Sequence, residues 1–349
     1  MKRALTLAGR AYGQTAPNPM VGAVIVRAGR IVGEGYHRRF GEAHAEVVAL
    51  AAAGTKARGA TVYVTLEPCA HWGKTPPCTD ALIAAGVARV VCAVRDPGAK
   101  SGGGARKLRR AGIAVEFGLE EAAARELNAA FFFSHSGARR PWVTLKLALS
   151  ADGAVAKAGR RRTSITAAAA NREVHRMRAQ SDAVAVGIGT VLADDPQLTV
   201  RLGRRPRIAP VRVVFDRRGR LPAASKLVKT AQRVPTVVMA DGVPVAREVS
   251  LFRRGVEVLH TRSLAAALQA LVQHDVRSLL VEGGPTLARA LLQARLVDRI
   301  VIFRSPLRLG AGAIAAFDDA SFLDRFRVVA RRRFGPDLMT SYDPRSRMP

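Results

Sequence analysis

The sequence predicts an α/β chain of two domains, and three observations carry that reading. Short β-branched runs alternate with alanine-rich helical stretches, the rhythm of a layered α/β domain with a mostly parallel sheet. That rhythm breaks at the polar, Gly- and Pro-containing stretch Ser134 to Pro141 and then begins again. The length of 349 residues also exceeds what one ordinary core holds. We place residues 1–140 in the first domain and 141–349 in the second.

Met1 to Gly13 reads as a helix. Its apolar stretch is cut by Gly9 and Arg10 and no small-residue cleavage site follows, so it reads as the start of a cytoplasmic enzyme rather than a signal peptide. Val21 to Val26 and Ile31 to Tyr36 read as strands joined by a turn at Ala28-Gly29. Ala43 to Ala53 is a helix ending at Gly54, and Thr61 to Leu66 is a strand. A loop through Pro68 and Pro77 leads into a helix ending near Gly86. Val87 to Val94 is a strand, Arg106 to Ala111 a helix, Ile113 to Phe117 a strand and Glu120 to Phe132 a helix. The second domain opens on the strand Trp142 to Leu149. Its further strands are Ser181 to Val186, Val211 to Phe215, Val276 to Val281 and Arg299 to Phe303, with helices at Ala167 to Ala179 and Leu264 to Gln273.

Composition narrows the class. Hydrophobic residues make up 48% and charged residues 24%, which excludes a disordered chain. No apolar run of about 18 residues predicts a membrane span. Three cysteines are too few for a disulfide scaffold. Cys92 sits in an apolar run and reads as core. The net charge of +29 is scattered in short clusters, such as Arg204-Arg205 and Arg331-Arg332-Arg333, with few aromatics between them. That reads as a solvated, arginine-biased surface, with attraction for a phosphorylated small substrate or loose association with RNA as the lesser alternatives.

The chemistry lies in His44-Ala45-Glu46, Pro68-Cys69 and Cys78. A hydrolytic zinc site uses three protein ligands and keeps one position open for water. His44, Cys69 and Cys78 supply such a set, and the metal brings the pKa of that water towards neutrality. Glu46, near a helix N-terminus and not a ligand, is placed to carry protons to the leaving amine. This is the pattern of zinc deaminases. Eight residues separate the two cysteines, where nucleoside and tRNA deaminases usually have two, so the loop Ala70 to Pro77 must double back. Singly, a helix histidine or a buried cysteine is ordinary. A structural zinc would want a fourth ligand, for which His71 is the nearby candidate, but that role leaves Glu46 without a purpose.

With these residues the chain resembles the bifunctional riboflavin-biosynthesis family, which fuses a diaminohydroxyphosphoribosylaminopyrimidine deaminase to a 5-amino-6-(5-phosphoribosylamino)uracil reductase. The matching motifs in the first half are Pro17 to Gly22, His44-Ala45-Glu46, Thr65 to Cys69 and Gly73 to Cys78. In the second half they are Leu145-Lys146-Leu147, Ser150 to Gly153, Gly189 to Pro196, Leu198 to Arg201 and Val281 to Leu287. The eight-residue cysteine gap is typical of that family.

The resemblance implies a cytidine-deaminase-like N-terminal domain holding one Zn²⁺, followed by a dihydrofolate-reductase-like C-terminal domain using NADPH. The first would deaminate 2,5-diamino-6-(5-phosphoribosylamino)pyrimidin-4-one at C2. The second would reduce the ribosyl group to ribityl. It places Asn18, His71 and Lys74 on the deaminase substrate. In the reductase domain Lys146, Arg162, Arg178, Leu198, Arg201 and Glu282 fall on the substrate side. Ala148, Ser164, Thr190, Asp194, Gly284, Pro285, Thr286, Leu287, Ala288, Arg289 and Ala290 fall on the NADPH side, where backbone N–H groups after Gly283-Gly284 suit a phosphate. The family tends to form homo-oligomers.

The chain departs from the family at Arg162-Thr163-Ser164, where a serine and a tryptophan are usual at positions 162 and 164, and at Asp96-Pro97-Gly98-Ala99. A deaminase with an impaired reductase domain is therefore one alternative. A nucleic-acid deaminase of the tRNA type is a second, and a zinc-stabilised binding module a third. Base conversion in RNA would favour the second, and indifference to Glu46→Gln the third. Gly310 to Ala315 fits the dinucleotide pattern G-x-G-x-x-A but lacks a βαβ setting and reads as a variable loop.

Overall fold

The computed structural model describes residues 1–99, 101–157, 164–317 and 321–345. The chain divides into two compact units, Met1–Gly137 and Ala138–Pro349.

The first unit runs α1 (Lys2–Gly9), β1 (Gly22–Arg27), β2 (Arg30–Tyr36), α2 (Ala45–Ala53), β3 (Thr61–Val64), α3 (Cys78–Ala84), β4 (Arg89–Cys92), α4 (Gly104–Arg110), β5 (Ala114–Phe117), α5 (Glu121–Leu127) and α6 (Ala129–Ser134). Its sheet has the order β2-β1-β3-β4-β5. The strands β3, β4 and β5 are parallel, whereas β1 is antiparallel to both neighbours. The sheet is thus mixed rather than mostly parallel. The tight turn at Ala28-Gly29, both at positive φ, folds β2 back on β1, and α2 then carries the chain across to β3 on the other side of β1. Cys92 is fully buried, as its apolar run predicts.

The fit of α2 on the sheet is set by small residues. Ala45, Ala49 and Ala53 repeat every four residues and form one face of the helix. They meet Gly33 and Gly35, two residues apart on β2. A Cβ on Gly35 would lie 2.4 Å from the Ala45 carbonyl oxygen, so the helix backbone rests directly on the strand. The helix expected over Glu120 to Phe132 is instead two, interrupted at Asn128. That side chain accepts the Met20 N–H at 2.8 Å and donates to the Met20 carbonyl at 2.9 Å.

The second unit contains β6 (Trp142–Leu149), β7 (Ala154–Ala156), α7 (Ala168–Gln180), β8 (Ala183–Gly187), α8 (Ile188–Asp194), β9 (Val211–Phe215), α9 (Lys226–Lys229), β10 (Thr236–Ala240), α10 (Val245–Phe252), β11 (Val256–His260), α11 (Leu264–Gln273), β12 (Ser278–Val281), α12 (Pro285–Gln293), β13 (Arg299–Arg304), β14 (Ile314–Ala315), β15 (Phe326–Phe334) and β16 (Asp337–Pro344). Nine strands form one sheet, β11-β10-β9-β8-β12-β6-β13-β16-β15. The pairs from β11 through β13 are parallel, and β16 and β15 close the edge antiparallel. Val143, Leu145, Leu147 and Leu149 point from β6 into one core, and Val184, Val186 and Val214 point from β8 and β9 into another on the opposite face. That leaves Lys146 and Ala148 on the face of β6 away from its leucines, by the two-residue alternation of strands. Ile314 and Ala315 pair with β7, so the end of the dinucleotide-like pattern is a strand and opens no helix.

Candidate functional site

In the first unit the loop after β3 is pinned at both ends. Glu67 is 6% exposed and accepts N–H bonds from Ala105 at 2.9 Å and Asp96 at 3.3 Å. A Cβ on Gly104 would sit 1.8 Å from the Pro68 carbonyl oxygen, so α4 can lie against the loop only with glycine there. The Cys69 carbonyl accepts the Thr79 N–H and its hydroxyl, each at 3.2 Å. The loop therefore doubles back, and the Cys78 N–H reaches the Cys69 sulfur at 3.4 Å.

His44 caps α2 in an extended conformation. Its Nδ1 lies 3.2 Å from the Cys78 sulfur and 3.6 Å from that of Cys69. Among the described residues these three form the one cluster of potential metal ligands, with donor atoms all within 4.8 Å of one another. A tetrahedral zinc with bonds of about 2.3 Å to sulfur and 2.0–2.1 Å to nitrogen needs donors roughly 3.5–3.8 Å apart. The donor set fits, and three ligands leave a fourth position open.

The electrostatics agree with that fit. Burial pushes the Glu46 carboxyl up to about 7, with Cys69 adding to the rise and its own backbone N–H, His44 and Cys78 opposing it. The Cys78 thiol donates to Cys69, and that bond, helped by His44 against the effect of burial, holds the Cys69 sulfur down to about 4. Cys78 is pushed up by the same bond and by burial. Two sulfurs share a proton that a cation would displace.

Around this centre, His37 stacks edge-on against His44 at 5.1 Å, and Asn18 Nδ2 lies 3.5 Å from His37 Nε2. His71 and Lys74 are exposed on the doubled-back loop, with Lys74 Nζ 4.3 Å from the Phe40 ring centroid. The sequence reading singled out neither His37 nor Glu67. A histidine seven residues before His44 was the signal available for the first.

The second unit holds a cavity of about 530 Å³ at the C-terminal ends of β6, β8 and β12, where ligands of open α/β sheets bind. Lys146 and Ala148 line it from β6, and Glu282 follows β12. Arg178, from α7, grips the Glu282 carboxylate with two bonds of 2.6 and 2.9 Å, both side chains being nearly buried. Burial alone would raise Glu282, but the Arg178 charge and hydrogen bonds, with Lys146, hold it below the usual carboxylate range. Burial lowers Lys146, with Arg178 adding to the fall and Glu282 resisting it.

Thr190, Asp194, Leu198, Arg201, Gly284, Pro285, Thr286 and Leu287 also line the cavity. The Gly284 N–H donates to Thr190 Oγ1 at 3.2 Å, joining the start of α12 to α8. Gly189 has open space where a Cβ would stand. The volume lies within the roughly 300–1,000 Å³ of drug-sized sites. Together with the small residues along one wall and the N-terminus of α12, it suits a dinucleotide.

Not every residue expected at the second site lines the cavity. Ala288 is buried in the core beneath the cavity, and Arg289 and Ala290 do not line it. Ser164 is exposed and also does not line it. Arg162 lies outside the described residues. Conversely, Gln197, Lys226 and Ile314 line the cavity without having been anticipated, since nothing local marks them.

Residues 1–94 match the model of the cytidine and deoxycytidylate deaminase zinc-binding region, and residues 141–340 that of the RibD C-terminal domain. The riboflavin biosynthesis protein RibD of Aquifex aeolicus is 44% identical over 89% of this chain and 87% of that protein. The RibD of Escherichia coli is 41% identical over 97% of this chain and 96% of that protein. The solved structure of Acinetobacter baumannii RibD superposes with a TM-score of 0.85, at 40% identity, covering 99% of this chain and 98% of that one. A Thermotoga maritima diaminohydroxyphosphoribosylaminopyrimidine deaminase/5-amino-6-(5-phosphoribosylamino)uracil reductase gives a TM-score of 0.84 at 37% identity, covering 99% and 97%.

Proposed function

The chain belongs to the bifunctional riboflavin-biosynthesis deaminase–reductase family, and from that premise we propose how its two units divide the chemistry. The first unit deaminates 2,5-diamino-6-(5-phosphoribosylamino)pyrimidin-4-one at C2, and the second reduces the ribosyl group of the product to ribityl. The observation that carries the reading is the convergence of His44, Cys69 and Cys78 beside the buried carboxyl of Glu46.

Zinc, when held by His44, Cys69 and Cys78, supplies a Lewis acid that makes water a competent nucleophile near neutral pH. Glu46 takes a proton from the attacking water, and the protons of that water end one on the ring nitrogen and one on the departing amine, so that N=C–NH2 and H2O become HN–C=O and NH3. Its 4% exposure keeps bulk water from the carboxyl. Asn18, His71 and Lys74 are the proposed contacts to this substrate.

In the second unit NADPH supplies the reducing equivalent. Thr190, Asp194 and the start of α12 are proposed to hold it. Lys146, Arg178, Leu198 and Glu282 shape the substrate side, and Arg201 suits the substrate phosphate. One Zn²⁺ per chain, a cytoplasmic location and homo-oligomeric assembly complete the proposal. All three cysteines are free and buried, in keeping with a reducing compartment, and no described helix is long and apolar enough to cross a membrane.

A coupled assay with metal analysis tests both halves. The purified chain should release ammonia from the diaminopyrimidine phosphate and then oxidise NADPH. Ammonia release without NADPH consumption would remove the reductase assignment, and full deamination by metal-free protein would remove the zinc mechanism. The nucleic-acid deaminase reading is not favoured, because the family relationship spans both units.

A further inference from the structure

We propose that His175 is a positioning residue for the reductase substrate, fixing through the Arg201 amide the Leu198–Arg201 segment that walls the cavity. The inference rests on the reading above that Leu198 and Arg201 face the substrate.

The segment does not hold its shape by regular structure. It lies outside every helix and strand, and Leu198 adopts φ +53, a region that β-carbon residues seldom occupy. Two side chains three apart on one face of α7 clamp it. Arg178 Nη1 donates to the Thr199 carbonyl at 3.0 Å, and the Arg201 N–H donates to His175 Nδ1 at 2.9 Å. Arg178 already has a task in gripping Glu282, whereas His175 does not line the cavity. It is 6% exposed, so its ring is not a surface ornament. Since Nδ1 accepts, the ring proton sits on Nε2. The acceptor is what the segment uses, and a side chain without one at that place releases the Arg201 end of the wall.

Asparagine and glutamine separate acceptor from bulk. In His175→Asn the amide reaches the place of Nδ1, whereas in His175→Gln it reaches that of Nε2. With the full chain, His175→Gln should raise the reductase KM for the pyrimidine on the order of tenfold while leaving kcat nearly unchanged, the mark of lost uniform binding. His175→Asn should keep KM near wild type. NADPH affinity, read by fluorescence, and deamination by the same chain should not move. The Arg201 amide should exchange hydrogen faster in His175→Gln than in His175→Asn. Equal KM values in the two variants, or a loss of kcat alone, would overturn the proposal and leave His175 a packing residue. Arg201→Ala is the control on the underlying reading. If it leaves KM unchanged, Arg201 does not serve the substrate and the proposal falls with that assignment, whereas a raised KM in Arg201→Ala beside an unaffected His175→Gln sinks the proposal alone.

Discussion

In the first unit the donor atoms come from the start of α2, the loop after β3 and the first residue of α3, and they lie within 4.8 Å of one another. In the second, the cavity of about 530 Å³ is walled by residues from β6, α7, α8, the stretch beyond it and α12, most of them small, apolar or backbone-exposing. One site is a few side chains of rare chemistry; the other is a shape held open by packing and by a buried ion pair. A substitution in the first should therefore strike the reaction and spare the fold, while one in the second should strike geometry and stability together.

Glu46→Gln gives the sharpest form of that contrast. Deamination should fall by about 10²–10⁴-fold, the usual worth of a general acid–base group, while zinc content and the reduction of uracil substrate supplied directly stay near wild type. A parallel loss of both activities would break the separation of the two sites. Arg178→Leu is the converse. It leaves Glu282 buried without its bidentate partner, which costs about 3–5 kcal/mol and lowers the unfolding temperature of the second unit by roughly 6–20 °C. A negligible shift in calorimetry would mean that Lys146 alone satisfies the carboxylate.

The same difference governs what could be read from the sequence. His44, Glu46, Cys69 and Cys78 were legible because their side-chain chemistry is distinctive and their spacing is local. Lys146, Arg178 and Glu282 are ordinary residues far apart in the chain, and only the family pattern joined them. His175 and Lys226 carried no signal, since their contacts exist only once α7 and α9 have packed, and Glu67 stood within the Thr65 to Cys69 motif without a role until α4 packed against it. The strands β6 and β9 and the helix α11 were placed to the residue, yet β10 was missed because Thr236 to Ala240 is buried on both faces, and a short apolar run lacks the alternation that marks a strand. In β15 the arginines at 331–333 hide the pattern, and the strand is mostly exposed. The antiparallel place of β1 is a property of how the chain returns after α2, and no local residue encodes it.

Glu67→Gln probes how far the compact site depends on its frame. The carboxylate accepts two backbone N–H groups with separate oxygens, and an amide can satisfy one of them only. Loosening the segment before Cys69 should weaken zinc binding by about 10–100-fold, as loss of groups that orient metal ligands does, read by competition with a chelator. Unchanged affinity would show that the clamp of Thr79 on the Cys69 carbonyl suffices.

The smallest effect belongs to the second unit and to pH. Burial, with the charges of Arg178 and Arg201 and against that of Glu282, lowers His175 to about 4, compared with about 6.5 in an unfolded chain. Between those values the unfolded state binds the extra proton, so stability is full above about pH 6.5 and declines as pH falls towards 4. The decline has a structural meaning, because a protonated ring cannot accept the Arg201 N–H. Urea midpoints of the second unit should therefore fall across this window in the wild type and fall less in His175→Asn, which cannot titrate. An identical slope in both would assign the acid sensitivity to the Glu282 carboxylate, which Arg178 holds below its usual range, and would leave the wall of the cavity indifferent to the charge of His175.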